Sequence, residues 1–174
     1  MNCGDRELSF EFATAAYRTR GVVRDLIHQF KYNRQVHLRH VLARMLTEGF
    51  RDGRVSDLRP DAIVPVPLHP TRQREREFNQ AEVLARLAGR RLGLPVEDSL
   101  RRTRYTLTQT HHHREERFAN LEGAFAVRHG PPVDGKVLAL VDDVLTTGST
   151  ADACARALRE AGASAVIVIT VARG

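Results

Sequence analysis

The sequence predicts an α/β fold with a mostly parallel central sheet flanked by helices. Apolar strand candidates alternate with amphipathic helix candidates along the chain, an order typical of parallel α/β sheets. The pattern is clearest at the end, where apolar runs from Val137 to Val141 and from Ala165 to Ala172 enclose a helix candidate. Continuous apolar runs are typical of strands buried on both faces. We therefore expect two neighbouring parallel strands joined by a right-handed crossover.

Length and charge limit the classes of protein to which this chain can belong. The chain has 174 residues, 42% of them hydrophobic, which is enough for one domain over residues 1–174, with residues 1–18 as a short N-terminal strand segment. The net charge of +6 indicates anionic partners, either nucleic acid or a phosphorylated small molecule. Every apolar run is shorter than the roughly 20 residues that cross a bilayer. With no membrane span and no leader pattern, we expect a cytoplasmic location.

The first third of the chain predicts one strand, two helices and a second strand. Apolar and polar residues alternate from Glu7 to Phe12, which favours a half-buried strand. Apolar residues recur at helical spacing from Val22 to Phe30 and again from Leu38 to Leu46. The polar stretch 51–61 is interpreted as a connector. A β-branched run with two prolines follows at 62–68, and this suits a strand that is ending.

The middle of the chain contains a helix with clear start signals. Asn79 and Glu82 suit the N-cap and N3 positions, Phe78 and Val83 can form a hydrophobic staple, and Gly93 suits the end. Short strands are predicted within 94–104 and 123–127. The polar stretch 106–117 between them is interpreted as a long mobile loop. In the last helix, Ser149 and Asp152 suggest a capping-box-like start and Gly162 the end.

The stretch after Val141 predicts a ribose-phosphate site. A small hydroxyl-and-glycine loop leading into a helix can hold a phosphate with backbone N–H groups, and carboxylates just upstream can accept hydrogen bonds from a ribose diol. The alternative is an ordinary turn with two solvated aspartates, but the ordered series of strand, acids, loop and helix disfavours it. The loop lacks the Gly-Lys-Ser/Thr of nucleoside-triphosphate sites. The candidate residues are Asp142, Asp143, Thr146, Thr147, Gly148, Ser149 and Thr150.

Several segments together resemble a known family. Val137–Ala151 resembles the phosphoribosyl-pyrophosphate (PRPP) binding motif of type I phosphoribosyltransferases. The segments Asp25–Tyr32, Ile63–Glu82 and Arg101–Phe125 resemble, in the same order, the pattern of the competence-protein ComF family. The resemblance covers the chain from about Ala15 onward and implies a type I phosphoribosyltransferase-like fold.

The resemblance implies an activity and further site residues. The ligand would be PRPP or a ribose 5-phosphate nucleotide with Mg²⁺, and pyrophosphate would be displaced by an acceptor that the sequence does not identify. A pyrophosphate-binding loop would contain His69, Arg72 and Arg76. The predicted mobile loop would close over the ligand and exclude water. Its flexible-loop candidates are Arg102, Arg104, Gln109 and Arg117.

Two departures from the family pattern produce expectations of their own. Family members usually begin with a four-cysteine zinc module, and here only Cys3 stands near that position, so we expect no structural zinc. The family favours glycine where this chain has Glu77, which would be strained if the position requires a positive φ. Lys31 matches the family, and a structural role is favoured over a catalytic one. Cys154 is interpreted as a small core residue.

Three functional hypotheses stay open from the sequence. The leading one is a phosphoribosyltransferase that transfers or releases the phosphoribosyl group. The second is a non-catalytic sensor of PRPP or a nucleotide. The third is a basic nucleic-acid-binding protein, consistent with the family's link to DNA uptake and competence. Single-stranded DNA, the competence machinery and a second copy in a homodimer are the partners considered.

Overall fold

The computed structural model describes residues 7–32, 35–104, 118–128, 130 and 132–174, without the side chains of Val36 and Arg76. In chain order, the elements discussed below are β1 (Ala13–Arg18), α1 (Gly21–Tyr32), α2 (Arg39–Gly49), α3 (Gly53–Leu58), β2 (Ala62–Pro65), α4 (Pro70–Arg76), α5 (Gln80–Leu92), β3 (Leu100–Arg102), β4 (Phe125–Val127), β5 (Val137–Leu145), α6 (Ser149–Glu160) and β6 (Ala165–Arg173).

The central sheet has four strands in the order β1-β6-β5-β2, and all three pairings are parallel. This confirms the α/β prediction and the neighbouring parallel strands at the end of the chain. Beside β2, the amide of Ile63 donates to the carbonyl of Pro95, and the amide of Glu97 donates to Ile63. The outer edge of β2 is therefore covered by a single parallel bridge, between Ile63 and Val96.

Apolar side chains cover both faces of this sheet. On one face, α6 packs Cys154 and Leu158 against Leu138 and Leu140 of β5. On the other face, helices α1, α2 and α5 pack against β5 and β6 through a second set of buried side chains, which includes Phe30, Leu46, Leu84, Ile167 and Ile169. Cys154 is fully buried, which confirms its place in the core. Burial on both faces explains why β5 and β6 are continuous apolar runs.

A second, two-stranded antiparallel sheet pairs β3 with β4. Both strands lie where the sequence predicts them. Strand β4 contacts α6, so this small sheet lies on the α6 side of the molecule. The predicted loop 106–117 connects the two strands in sequence and lies outside the described residues.

Three predictions for the first half of the chain are wrong: one strand is displaced, and two helices occupy stretches predicted as connector and loop. The N-terminal strand is Ala13–Arg18 instead of Glu7–Phe12, although Glu11 and Phe12 already form backbone hydrogen bonds with β6. The predicted connector contains the helix α3, in which Val55 is buried and Asp52 caps the first turn. The predicted pyrophosphate loop contains the helix α4. Both helices are too short to show an apolar period.

Two helix starts also test the predictions. Asn79 caps α5 by accepting a hydrogen bond from the amide of Ala81, and Gly93 ends the helix at φ 69°, as expected. The capping-box start of α6 is wrong, because Gly148 is the N-cap and Ser149 is already helical. The Asp152 side chain instead accepts from the amide of Ser9 and pairs with Arg156. Within the described residues, the helices are too short or too polar to span a membrane.

Candidate functional site

The candidate site lies at the carboxyl ends of the adjacent strands β5 and β2. Parallel pairing of Pro65 with Val141 brings these two ends to the same edge of the sheet. The segment from Thr146 to Thr150 leaves this edge after β5, and the segment from His69 to Arg76 leaves it after β2. Ligands of parallel α/β sheets bind at this kind of edge. The structure therefore brings together the two segments that the sequence predicts for phosphate and pyrophosphate.

The segment after β5 forms a small cavity at the start of α6. Gly148 turns the backbone at φ 82°, and the hydroxyls of Thr147 and Ser149 lie 3.0 Å apart. The cavity of about 40 Å³ is lined by Asp142, all residues from Val144 to Ala151, and two residues of β6. One water molecule needs about 10–15 Å³, so the cavity has room for a small group such as phosphate. All seven predicted ribose-phosphate residues except Asp143 line it.

The two aspartates are part of β5 instead of following it. Strand pairing with β6 continues through Asp142 to Leu145, so the side chains of Asp142 and Asp143 alternate between the two faces of the sheet. Asp142 accepts a hydrogen bond from the amide of Asp143 at 2.8 Å. The acid pair is consequently divided, with Asp142 on the α6 side and Asp143 on the α1 side.

On the α6 side, Asp142 and Arg102 act on the buried thiol of Cys154. Burial raises the pKa of Cys154 well above its ordinary value, the negative charge of Asp142 raises it further, and the positive charge of Arg102 opposes them. This thiol is therefore neutral at physiological pH and is a core group beneath the cavity. The same electrostatics place the charge of Arg102, a predicted flexible-loop residue, within range of Cys154 on the α6 side.

On the α1 side, Asp143 forms an ion pair with Lys31. Lys31 Nζ lies 2.8 Å from Asp143 Oδ1, and the side chains are 20% and 8% exposed, respectively. The sequence favoured a structural role for Lys31 and did not connect it with the acids. The structure places it at the candidate site. The only signal was its position in the Asp25–Tyr32 segment that resembles the family.

The segment after β2 is a short helix with a strained end. The Nδ1 atom of His69 accepts a hydrogen bond from the amide of Thr71 at 3.2 Å and caps α4, and Pro70 occupies the first turn. This bond leaves the proton of a neutral ring on Nε2. Arg72 is half-buried on α4, while the side chain of Arg76 lies outside the described part of the chain. Glu77 ends the helix at φ 67°, so the position does require a positive φ, as anticipated.

A buried asparagine connects this segment to the sheet. Asn79 is 8% exposed, and its side-chain amide donates to the carbonyl of Val66 at 3.0 Å while its oxygen caps α5. The amide of Val66 in turn donates to Val141 of β5. The start of α5 is thereby held at the end of β2.

The small antiparallel sheet carries the remaining predicted residues. The guanidinium of Arg102 lies over the ring of Phe125, 5.4 Å from its centre. Arg104 is exposed and donates to the carbonyl of Glu122. Gln109 and Arg117 lie outside the described residues, and their assignment stays a prediction.

A larger groove lies beside the phosphate cavity. It has a volume of about 1050 Å³ and shares Leu145, Thr147 and Gly148 with the phosphate cavity. The segment 7–15 forms one wall. Arginines of α3, α6 and β6 also line the groove, and three glutamates partly offset their charge: Arg54, Arg156, Arg159, Arg173, Glu7, Glu11 and Glu160.

The donor set at the sheet edge is compatible with Mg²⁺ but not with a protein-enclosed metal. Among the residues that the structure describes, no three histidine, cysteine or acidic side chains come together as a metal site. Magnesium commonly uses one or two carboxylates together with substrate phosphates and water. Asp142, which lines the cavity, fits that pattern, whereas Asp143 lies on the other face of the sheet and is paired with Lys31. Cys3 lies outside the described residues, so the absence of zinc stays a prediction.

Comparisons with known proteins identify the family. The sequence profile described as phosphoribosyl transferase domain matches residues 79–174. Competence protein F of Haemophilus influenzae is 37% identical over 152 residues, which are 85% of this chain and 66% of that protein. DNA utilization protein YhgH of Escherichia coli K12 is 38% identical over 151 residues, with the same two coverages of 85% and 66%. This chain thus spans about two thirds of the length of these curated relatives.

A solved structure gives a weaker match. Glutamine phosphoribosylpyrophosphate amidotransferase from B. subtilis is 26% identical, with a TM-score of 0.47 over 75% of this chain and 25% of that one. The profile match is the stronger finding, since it runs from the cap of α5 to the end of the chain and includes the whole phosphate cavity loop. The chain therefore belongs to the phosphoribosyl transferase domain family, among the homologues of competence protein F.

Proposed function

We propose that this protein binds PRPP or a ribose 5-phosphate nucleotide, with Mg²⁺, and transfers or releases the phosphoribosyl group. The observation that carries the proposal is the cavity in which the glycine turn at Gly148, the hydroxyls of Thr147 and Ser149, and the carboxylate of Asp142 converge. A phosphate needs donors and a ribose diol needs an acceptor. The cavity offers both at one end of β5.

The chain's own groups supply most of the binding chemistry. The first turn of α6 has backbone N–H groups without helical acceptors, and they favour an anion together with the helix dipole. Hydroxyls of Thr147 and Ser149 add donors, while Asp142 accepts from ribose. Arg72 and Arg76, on the neighbouring segment, suit pyrophosphate because guanidinium groups donate to two oxygens at once. When bound, Mg²⁺ would neutralise pyrophosphate oxygens and support their departure from the ribose.

The site suits displacement at the anomeric carbon more than acid–base catalysis. Asp142 next to the ribose can stabilise positive charge that develops on the sugar, and the arginines can stabilise the leaving pyrophosphate. The acceptor stays open. Because the relatives are named for competence and DNA utilization, we propose that the activity serves competence or the utilization of DNA.

Titration calorimetry with PRPP, with and without Mg²⁺, tests this proposal. Asp142→Asn is the sharpest single change, because it leaves the ion pair of Asp143 with Lys31 intact. A hydrogen bond to a charged group contributes about 1.5–3 kcal/mol, so we expect PRPP affinity to fall roughly 10- to 100-fold. The double change of Asp142 and Asp143 to Asn should lower PRPP affinity by a similar factor, because Asp143 does not line the cavity and is paired with Lys31.

Asp57→Asn is the matched control, because it removes the same charge at an exposed position of α3. Its PRPP affinity should equal that of the unaltered chain. Equal affinity in the Asp142→Asn chain would refute the ribose assignment. Pyrophosphate release in the presence of candidate acceptors then separates turnover from sensing, since a sensor binds PRPP without consuming it.

Nucleic-acid binding is a second candidate function, favoured by the arginines of the large groove and by the net charge of +6. Binding that relies on phosphate contacts weakens steeply with salt because counterions are released. Single-stranded DNA binding that falls with salt and persists in the Asp142→Asn chain would support this function. DNA binding that is absent at low salt would exclude it.

A further inference from the structure

The end of α1 is held beside the acid pair by packing and by charge. Phe30 is fully buried, and its ring lies 5.2 Å from that of Phe78, the residue before the α5 cap. The next residue, Lys31, is in the last turn of α1, where the helix dipole favours a cation. Its ammonium lies 2.8 Å from Asp143. The ammonium group is therefore held beside Asp143 of β5 by a helix that also packs on Phe78, just before α5.

The position of this ion pair answers an electrostatic difficulty. Two adjacent carboxylates next to an anion-binding loop would repel the phosphate that the loop is built to hold. Asp143 lies at the end of the face opposite Asp142, and its side chain is 8% exposed, so water does little to screen its charge. Lys31 opposes this charge at contact distance. The edge of the sheet then presents one negative charge less to the bound anion.

Stability alone gives little reason for such a pair. A buried ion pair often contributes no more than a well-packed apolar pair of similar volume, because both charges lose their hydration. At a ligand site, an ion pair holds charges at fixed positions, which an apolar pair cannot do. The pair also holds Asp143 in one orientation at the strand end.

We infer that Lys31 is a positioning residue of the ribose-phosphate site, which acts through Asp143 by holding and neutralising this carboxylate so that an anionic ligand can bind. The inference rests on the proposed function. Lys31 has no part in the displacement chemistry itself. Its role predicts that its effect on ligand binding depends on the negative charge of Asp143.

A double-mutant cycle on ligand affinity tests that dependence. The chains are the unaltered protein, Lys31→Met, Asp143→Asn and the two changes combined, with ribose 5-phosphate as the probe in calorimetry. Lys31→Met should weaken binding at least about tenfold, since it leaves an unpaired buried charge beside the phosphate. In the Asp143→Asn background the same change should alter affinity less than about threefold. The ratio of the two losses measures the coupling between Lys31 and Asp143, and a ratio of about three or more is typical of residues in contact. Lys31→Arg keeps the charge and should stay closer to the unaltered chain than Lys31→Met.

Two outcomes overturn the inference while leaving the proposed function standing. One is equal affinity of the unaltered and Lys31→Met chains. The other is an equal loss in both backgrounds, which would mean that Lys31 contacts the ligand directly or acts only through the fold. If the unaltered chain binds neither PRPP nor ribose 5-phosphate, the proposed function fails and the positioning role fails with it.

Urea unfolding of the same four chains without ligand tests the ion pair separately. Lys31→Met should lower the urea midpoint in the unaltered background more than in the Asp143→Asn background, because only the first leaves a buried carboxylate unpaired. Equal shifts in both backgrounds would contradict the ion pair itself, whatever the ligand does.

Discussion

The two segments that leave the carboxyl edge of the sheet make the same backbone turn with different residues. After β5, Gly148 takes φ 82° just before α6, and after β2 and α4, Glu77 takes φ 67° just before the α5 cap. Glycine enters this region without steric cost, whereas a residue with a Cβ atom pays about 1–2 kcal/mol. The segment 146–150, named the phosphate segment after its predicted ligand, is thus relaxed. The segment 69–77, named the pyrophosphate segment after its predicted ligand, contains local strain.

The segments also differ in what holds them in place. The phosphate segment continues into the 12-residue helix α6, whose apolar face is buried in the core. The pyrophosphate segment is a seven-residue helix, PTRQRER, with no apolar side chain except its first proline. The cap of His69 and the bonds of Asn79 to the sheet are two of the contacts that hold its ends. Polar contacts, instead of a buried apolar face, therefore determine the geometry on that side of the site.

The largest loss of stability is expected at Asn79, which holds the end of the pyrophosphate segment on the sheet. Asn79→Ala removes the cap of α5 and leaves the carbonyl of Val66 buried without its donor. A lost cap costs about 0.5–2 kcal/mol and a buried unsatisfied carbonyl about 1–3 kcal/mol. We expect the free energy of unfolding in urea to fall by about 2–3 kcal/mol.

Asp52→Ala is the matched control, because Asp52 is also a helix N-cap, half-buried and paired with Arg54, but it bonds no buried carbonyl. Loss of a cap typically costs about 1 kcal/mol. An Asn79→Ala loss no larger than that of Asp52→Ala would show that the link to Val66 contributes nothing.

The second-largest loss of stability is expected at Gly148, in the phosphate segment. Gly148→Ala introduces a Cβ atom at φ 82°, where alanine costs about 1–2 kcal/mol, partly offset by about 0.4–1 kcal/mol from the less flexible unfolded chain. Stability should fall by about 1 kcal/mol, and ribose 5-phosphate affinity should fall with it, since the turn aims the backbone donors. Unfolding in urea and calorimetry measure the two losses.

Gly53→Ala should raise stability, by the same argument from backbone conformation. Gly53 begins α3 without a positive φ, and an added Cβ would meet no atom within 4 Å. Alanine is the better helix former by about 1 kcal/mol in a helix interior, so a smaller gain is expected in this first turn. A loss at Gly53 as well would contradict the argument that the sign at each glycine follows from its backbone conformation, because an added Cβ meets no atom closer than 4.0 Å at either position.

The contrast between the segments also explains what the sequence could predict. Strands β5 and β6 and helix α6 follow from apolar runs, because both faces of these strands are buried. Helix α4 has no such run, so its polar residues were interpreted as a loop. A signal was nevertheless present, since His69 followed by Pro70 is a usable cap and first-turn pair. The N-terminal strand was misplaced because Phe10 and Phe12 alternate while Ala13–Arg18 contains mainly small and polar residues.

Within the site, the sequence could predict residues that are close in the chain but not those that meet in space. The cavity residues from Asp142 to Thr150 are contiguous, and their order alone indicates a phosphate beside a diol. The contact between Lys31 and Asp143 joins a helix near the start of the chain to a strand near its end. No local period specifies such a contact. The extension of β5 through both acids was also hidden, because aspartate is depleted in strands.

The smallest effect concerns Glu77, where the substitution should raise stability, unlike the substitutions at Asn79 and Gly148. Glu77→Gly should relieve about 1–2 kcal/mol of strain while adding about 0.4–1 kcal/mol of unfolded-chain entropy. We expect a gain of about 0.5–1 kcal/mol in urea unfolding. The family resemblance points the same way, since glycine is favoured at this position.

Arg59→Gly is the companion variant. In the described part of the chain, Arg59 and Glu77 are the two non-glycine residues with a positive φ, and Arg59 has φ 49°. Both positions end short helices and both side chains are exposed. Similar gains at the two sites would assign the strain to the backbone. A gain at Arg59 and a loss at Glu77 would show that the Glu77 side chain stabilises the pyrophosphate segment by more than its backbone costs. In that case Glu77→Asn should lose less than Glu77→Gly, because asparagine tolerates the left-handed region and keeps a polar side chain.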